Sequence, residues 1–217
     1  MITKYLSELA KVPLVKEVSD ATDRYSMFND GSVETSVGEF LYGLVKMVKP
    51  ENILETGLYK GWSSAYMAFA LKENNFGHID AVEYEMVHVN SAKGLLQQLG
   101  LIEWVTVYEV SSLEFKPEKQ YDLLFLDTEL NLRFHELVKF YPNLSYGGYV
   151  FIHDMPISLC QGNINPDYPD FKNWPVGVIP QQITNWVKDG ELRPFFFSTP
   201  RGMLGFYKTR SEEHKWV

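Results

Sequence analysis

Ile53-Leu54-Glu55-Thr56-Gly57-Leu58-Tyr59-Lys60-Gly61-Trp62-Ser63-Ser64 reads as an apolar strand that runs into a glycine-punctuated turn and then into a helix. Gly57 lets the backbone turn sharply after the strand, and Gly61 lets it pass close to a ligand. The helix that follows points its free N–H groups at whatever sits there, and Ser63 or Ser64 caps it or bonds the ligand directly. Such a turn also joins strands to helices for purely structural reasons, so its meaning as a cofactor loop depends on what surrounds it.

The next strand supplies the context. His78-Ile79-Asp80-Ala81-Val82-Glu83 ends on a carboxylate. In a βαβ unit, an acid about 20 residues beyond the glycine loop, at the end of the second strand, accepts hydrogen bonds from both ribose hydroxyls. Glu83 takes that role in this reading, with Glu85 as the alternative carboxylate. Further along, apolar runs near 52–56, 78–83, 104–108, 121–127 and 148–153 alternate with helical patterns near 62–73, 88–99 and 132–140. That alternation predicts a parallel sheet with helices on both faces.

The flanks read differently. Met1 to Lys11 has the pattern of a short amphipathic helix, and Ser36-Val37-Gly38-Glu39 has capping-box spacing ahead of a helix that Pro50 ends. Pro156 to Pro175 carries four prolines with Tyr168, Phe171 and Trp174, and reads as a long ordered loop. Val178 to Lys188 predicts a last helix. Phe195 to Thr199 and Met203 to Tyr207 flank Pro200-Arg201-Gly202, an antiparallel hairpin signal.

Together these residues resemble the class I S-adenosylmethionine-dependent methyltransferases, in particular the small O-methyltransferases that include the catechol and sugar enzymes. Gly38 to Val48 is similar to the helix that leads into their first strand, and Ile53 to Ser63 to their first motif. Trp104 to Ser112 resembles their third strand and the loop bordering adenine. Tyr121-Asp122-Leu123-Leu124-Phe125-Leu126-Asp127 resembles strand four with its terminal Asp, and Gly147-Gly148-Tyr149-Val150-Phe151-Ile152-His153-Asp154 resembles strand five.

The resemblance implies an α/β fold: a Rossmann-like, doubly wound, mostly parallel seven-stranded sheet with a C-terminal antiparallel hairpin. It implies a single domain over 1–217, with a helical cap over 1–50, a cofactor-binding core over 51–155, and an acceptor loop, last helix and hairpin over 156–217. S-adenosylmethionine would be held by Glu55, Gly57, Tyr59, Gly61, Ser63, Glu83, Tyr84, Ser111, Ser112 and Asp127. Asp127 resembles the acid that contacts the methionine amino group or a divalent metal, and Asp154 the acid that ligates metal in metal-dependent members. The two would share magnesium or manganese, or else order loops and position the cofactor without any ion. The chain departs from the catechol pattern in placing Met155 after Asp154, where those enzymes carry Asn; sugar-type enzymes often carry a second acid where His153 stands.

Proton transfer has two candidates beside Asp154. Glu129 lies two residues beyond Asp127, and on a strand extension both carboxylates would share a face. It leads as general base; His153 either competes, because imidazole titrates near neutrality, or orients the strand-five loop. Arg133 has the spacing to pair with Glu129 along a helix or to bind an acidic substrate. Trp62 walls the cofactor pocket or packs the core, and Tyr168, Phe171 and Trp174 would form a stacking platform for a sugar or aromatic acceptor or pack on one another as a hydrophobic loop.

Bulk properties bound the partners. The 217 residues, 45% hydrophobic and 22% charged, suffice for one substantial core. A net charge of −8 argues against a nucleic-acid partner, which would call for a basic face. The single cysteine, Cys160, excludes an intrachain disulfide. No apolar run approaches a membrane span and no signal peptide opens the chain, so a cytoplasmic protein with no membrane partner is expected. The expected partner is a small hydroxylated substrate; oligomeric state is left open. Two other readings are a cephalosporin-hydroxylase-like oxygenase, which would use iron and a pair of histidines that the sequence does not display, and a cofactor-binding module without transfer activity.

Overall fold

The computed structural model describes residues 32–155, 179–197 and 201–209. The helix expected over 1–11, Cys160 and the aromatic loop with Tyr168, Phe171 and Trp174 lie outside these residues.

Helix α1 (Thr35–Val48) leads into strand β1 (Asn52–Thr56), helix α2 (Trp62–Asn74), strand β2 (His78–Glu83), helix α3 (Met86–Gln98) and strand β3 (Val105–Glu109). Strand β4 (Tyr121–Leu126), helix α4 (Arg133–Phe140), strand β5 (Leu144–His153), helix α5 (Gln181–Lys188) and strands β6 (Leu192–Phe197) and β7 (Met203–Lys208) complete the order. The sheet runs β3-β2-β1-β4-β5-β7-β6. Pairings β1–β2, β2–β3, β1–β4 and β4–β5 are parallel, whereas β7 pairs antiparallel with both β5 and β6. The seven-stranded sheet and its terminal hairpin are as the sequence implied.

Alternating side chains divide the interior into two layers, because neighbours along a strand point to opposite faces. Ile53, Ile79, Leu123, Phe125 and Phe151 meet α1, α2 and α3. Leu54, Val82, Leu124, Leu126, Val150 and Ile152 meet the residues of α4 and α5 on the other side. Each such side chain contributes about 1.5–3 kcal/mol of apolar burial. Gly38 lets α1 close on α2, since a Cβ there would lie 2.5 Å from the Tyr66 ring.

The start of α1 corrects the capping-box expectation. The helix begins at Thr35, its N-cap is Glu34, and no side chain caps it. Glu34 is drawn inward instead, to His153 and to the backbone N–H of Arg201. At the other end Lys49 turns left-handed, φ 51°, and Pro50 follows. Among the described residues no helix is long and apolar enough to cross a membrane.

Candidate active site

Strands β1 and β4 are neighbours, yet the chain leaves them toward opposite faces of the sheet, and a cleft opens where it does so. Its volume is about 480 Å³, within the range of small-molecule sites. Gly57, Tyr59, Ser63, Glu83, Tyr84, Ser111, Ser112, Asp127, Glu129 and Asp154 border it; of the anticipated site residues Glu55, Gly61 and His153 do not.

The glycine loop is shaped by its neighbours. Gly57 has φ 79°, and a Cβ there would lie 2.4 Å from the backbone oxygen of Asp127. Gly61 was expected to admit a ligand; its φ is 83°, and a Cβ would lie 2.9 Å from Cβ of Ala92 in α3, so the close approach is between helices. Ser63 and Ser64 do not cap α2, whose N-cap is Gly61. Both hydroxyls donate to the carboxylate of Glu55, a fully buried group that has no water to turn to. Burial lifts Glu55 from its ordinary 4.5 to about 7, opposed by the two serine hydrogen bonds and assisted by the charge of Asp127. Trp62 borders the cleft and is packed in the core.

Glu83 is 7% exposed. Its Oε2 accepts the N–H groups of Leu58 and Tyr59 at 3.1 and 3.2 Å, and its Oε1 those of Tyr84 and Glu85 at 2.9 and 3.0 Å. The carboxylate therefore ties the glycine loop to the end of β2. Neutral donors hold it, and Nδ1 of His88 lies 3.9 Å from Oε2. Tyr59 is left-handed, φ 47°, with its ring edge-on to His88 at 4.8 Å between centroids. After β3, the Ser111 carbonyl accepts the N–H groups of Glu114 and Phe115 and so holds the turn on the cleft wall.

The ends of β4 and β5 are different. Arg133 is 4% exposed rather than on the surface, and it pairs with Asp127 and Asp154 rather than with Glu129. Its Nη2 lies 3.0 Å from Asp127 Oδ1 and 3.2 Å from Asp154 Oδ2. Its Nε donates to the Thr128 carbonyl at 2.7 Å and its Nη1 to that of His153. Arg201 Nη2 donates to Asp154 Oδ2 at 2.7 Å. Its Nε lies 2.5 Å from Oδ1, an ion-pair contact without hydrogen-bond alignment. His153 is fully buried, with Nδ1 3.1 Å from both Asp127 oxygens and Nε2 2.6 Å from Glu34 Oε2.

Burial alone would push His153 down, but Asp127, Asp154 and the bonded carboxylate of Glu34 outweigh it and lift the imidazole to about 10. The ring is an imidazolium at neutral pH with both N–H groups engaged. It has no lone pair with which to accept a proton. Burial raises Asp154, and His153, Arg133 and Arg201 overcome that to hold it well below the usual carboxylate range. Asp154 also sits at φ 52°, a conformation an L-residue keeps only when its surroundings impose it.

Glu129 does not share a face with Asp127. Strand β4 ends at Leu126, Asp127 donates its N–H to Thr56 O, and the two side chains part. Asp127 turns to the buried ions, while exposed Glu129 accepts the Tyr84 hydroxyl at 3.3 Å across the mouth of the cleft. Sequence reasoning gave no site role to Glu34 or Arg201, whose partners lie 119 and 47 residues away. Their only local signals were a position just before a helix and a turn inside a hairpin.

Residues 54–155 match the family described as a methyltransferase domain. Tapetum-specific methyltransferase 1 of Arabidopsis thaliana is 28% identical over 160 residues, 69% of this chain and 68% of that protein. A catechol O-methyltransferase of Niastella koreensis is 29% identical over 104 residues, 45% of this chain and 46% of that protein, so the chain spans less than half of this relative. The crystal structure of the SAH-bound methyltransferase PaMTH1 of Podospora anserina has the same fold, with a TM-score of 0.70 over 96% of both chains at 14% identity.

Proposed function

From a methyltransferase domain over residues 54–155, we propose that this chain transfers a methyl group from S-adenosylmethionine to an oxygen of a small hydroxylated acceptor, a sugar or a phenol. The observation that carries the reading is Glu83: a buried carboxylate on the cleft wall, beside the Gly57 turn, held by four backbone N–H groups that leave its charge in place.

The residues divide the work. Glu83 receives the ribose hydroxyls, with Tyr84 beside it, and Ser111 and Ser112 border adenine. Gly57, Tyr59 and Ser63 line the methionine end together with Asp127. Glu55 and Gly61 act from beneath, as a buried anchor for both serines and as a helix contact. When bound, S-adenosylmethionine supplies an electrophilic methyl on a sulfonium. Glu129 would take the acceptor's O–H proton as the acceptor oxygen receives the methyl group. His153 and Asp154 are positioning residues here. Alignment of acceptor and methyl supplies much of the rate.

The test uses single-turnover transfer with a panel of sugars and phenols. Glu129→Gln keeps size and hydrogen bonding but loses basicity, so transfer slows by about 10²–10⁴ while SAH affinity changes by no more than about threefold. An unchanged transfer rate removes Glu129 as the base. Calorimetry that finds no SAH binding, or competition by NAD, removes the cofactor assignment.

A further inference from the structure

We infer that Arg133 takes the place of a divalent ion between the strand-end carboxylates Asp127 and Asp154, so that this site holds its geometry without a metal. The resemblance to catechol-type enzymes implies an ion there, and the donor atoms of Asp127, His153 and Asp154 do lie within 4.8 Å of one another. Proximity is not vacancy, however. Nη2 of Arg133 already bridges the two carboxylates at 3.0 and 3.2 Å, the bridging duty an ion would perform.

Arg133 is fixed in that position. Nε and Nη1 are each bonded to a backbone carbonyl, those of Thr128 and His153, so the planar fork is held at three nitrogens at once. Arg201 adds a second guanidinium on Asp154 and is anchored in turn, with Nη1 2.8 Å from the Ser32 carbonyl and its backbone N–H 2.9 Å from Glu34 Oε1. Each of the two carboxylates is thus compensated by a buried arginine. The remaining donor, His153, has one ring nitrogen on Asp127 and the other on Glu34.

A hard dication needs carboxylate oxygens whose charge is not cancelled. Entry here would have to expel a guanidinium that is 4% exposed from the carboxylates and carbonyls that hold it. The residue after Asp154, Met155, offers a soft thioether to an ion that prefers oxygen. The residues present do not fit a magnesium or manganese centre. For the methyltransferase reading, on which only this consequence rests, the acceptor hydroxyl receives no help from a Lewis acid and depends on Glu129.

Mn²⁺ titrated into the full chain, with and without SAH, tests the inference through the electron paramagnetic resonance signal of the free ion and through Tm. The wild type is expected to show no saturable binding at millimolar Mn²⁺ and the same Tm in Mn²⁺ and in EDTA. Arg133→Met, which keeps the apolar stem, is expected to acquire saturable binding and a Tm that Mn²⁺ raises. Saturable binding or an Mn²⁺-dependent Tm in the wild type overturns the inference. So does a folded Arg133→Met chain that gains neither. If that variant does not fold, the wild-type titration decides alone. SAH affinity, measured by calorimetry in the same samples, reports separately on the methyltransferase reading.

Discussion

Glu83 at the end of β2 and Asp154 at the end of β5 are both buried strand-end carboxylates on one cleft, and they are held by opposite means. Glu83 rests on four neutral N–H groups. Asp154 rests on two guanidiniums and lies 3.6 Å from an imidazole nitrogen. Backbone donors stabilise a carboxylate without cancelling its charge, so the β2 rim presents a negative potential to a ligand. Guanidiniums cancel what they hold, so the β5 rim spends its charges on its own architecture. Burial and position at a strand end do not by themselves make a carboxylate a ligand-binding group. Its partners decide.

The sharpest break would come at Asp154. Asp154→Asn keeps the shape and tolerates the left-handed backbone at φ 52°, so it reads the charge alone. It strands Arg133 and Arg201 as buried cations with one carboxylate fewer between them. The expected loss is about 3–5 kcal/mol in urea unfolding, the usual result of removing one partner from a buried ion pair. A loss under about 1 kcal/mol would mean that the cluster is solvated after all, and the contrast with Glu83 would fail.

The same contrast explains what could be read from the sequence. Strands β1, β2 and β4 and helices α2 and α4 were legible within a residue or two because apolar periodicity is local, and it reports which face a side chain buries. Gly57, Glu83, Asp127 and Asp154 were legible as cleft residues because the ends of parallel strands converge wherever the sheet closes. Charge pairing is not local. Arg133 has Glu129 at helical spacing, yet it turned inward, because strand closure brought two buried carboxylates within its reach and those needed a cation far more than an exposed glutamate did. Ser63 and Ser64 turned from cap and ligand to Glu55 for the same reason: a fully buried carboxyl takes the nearest donors.

Glu55 offers a sharper version of the comparison, since it is a buried carboxyl with hydroxyl donors and no cation. Its pKa is raised from 4.5 to about 7. Below the unfolded value both folded and unfolded chains carry it protonated. Between that value and about 7 the folded chain binds the extra proton, so stability falls as pH rises through this window, and above it the full penalty remains. The shift corresponds to about 3 kcal/mol at most. Glu55→Gln removes the titration, so the variant should gain on the wild type between about pH 5 and 7.5, as read from paired urea midpoints. A stability difference that is the same at both pH values would show that Glu55 folds already ionised.

The smallest expected effect lies where charge is kept for a ligand. Glu83→Ala removes an ionised acceptor from the cleft, and SAH affinity should fall about tenfold to a hundredfold, or roughly 1.5–3 kcal/mol, by calorimetry. The variant also leaves the N–H groups of Leu58, Tyr59, Tyr84 and Glu85 without their acceptor, so the loop itself loosens. The two contributions separate by ligand. S-adenosylmethionine and SAH share the ribose and should both lose affinity, whereas methionine alone, which lacks a ribose, should be affected only through the loop. If methionine binding falls as much as SAH binding, Glu83 organises the loop and does not meet the ribose. If SAH binding is unchanged, the ribose role passes to Glu85, which stands two residues on, is more exposed, and donates its own N–H to Glu83.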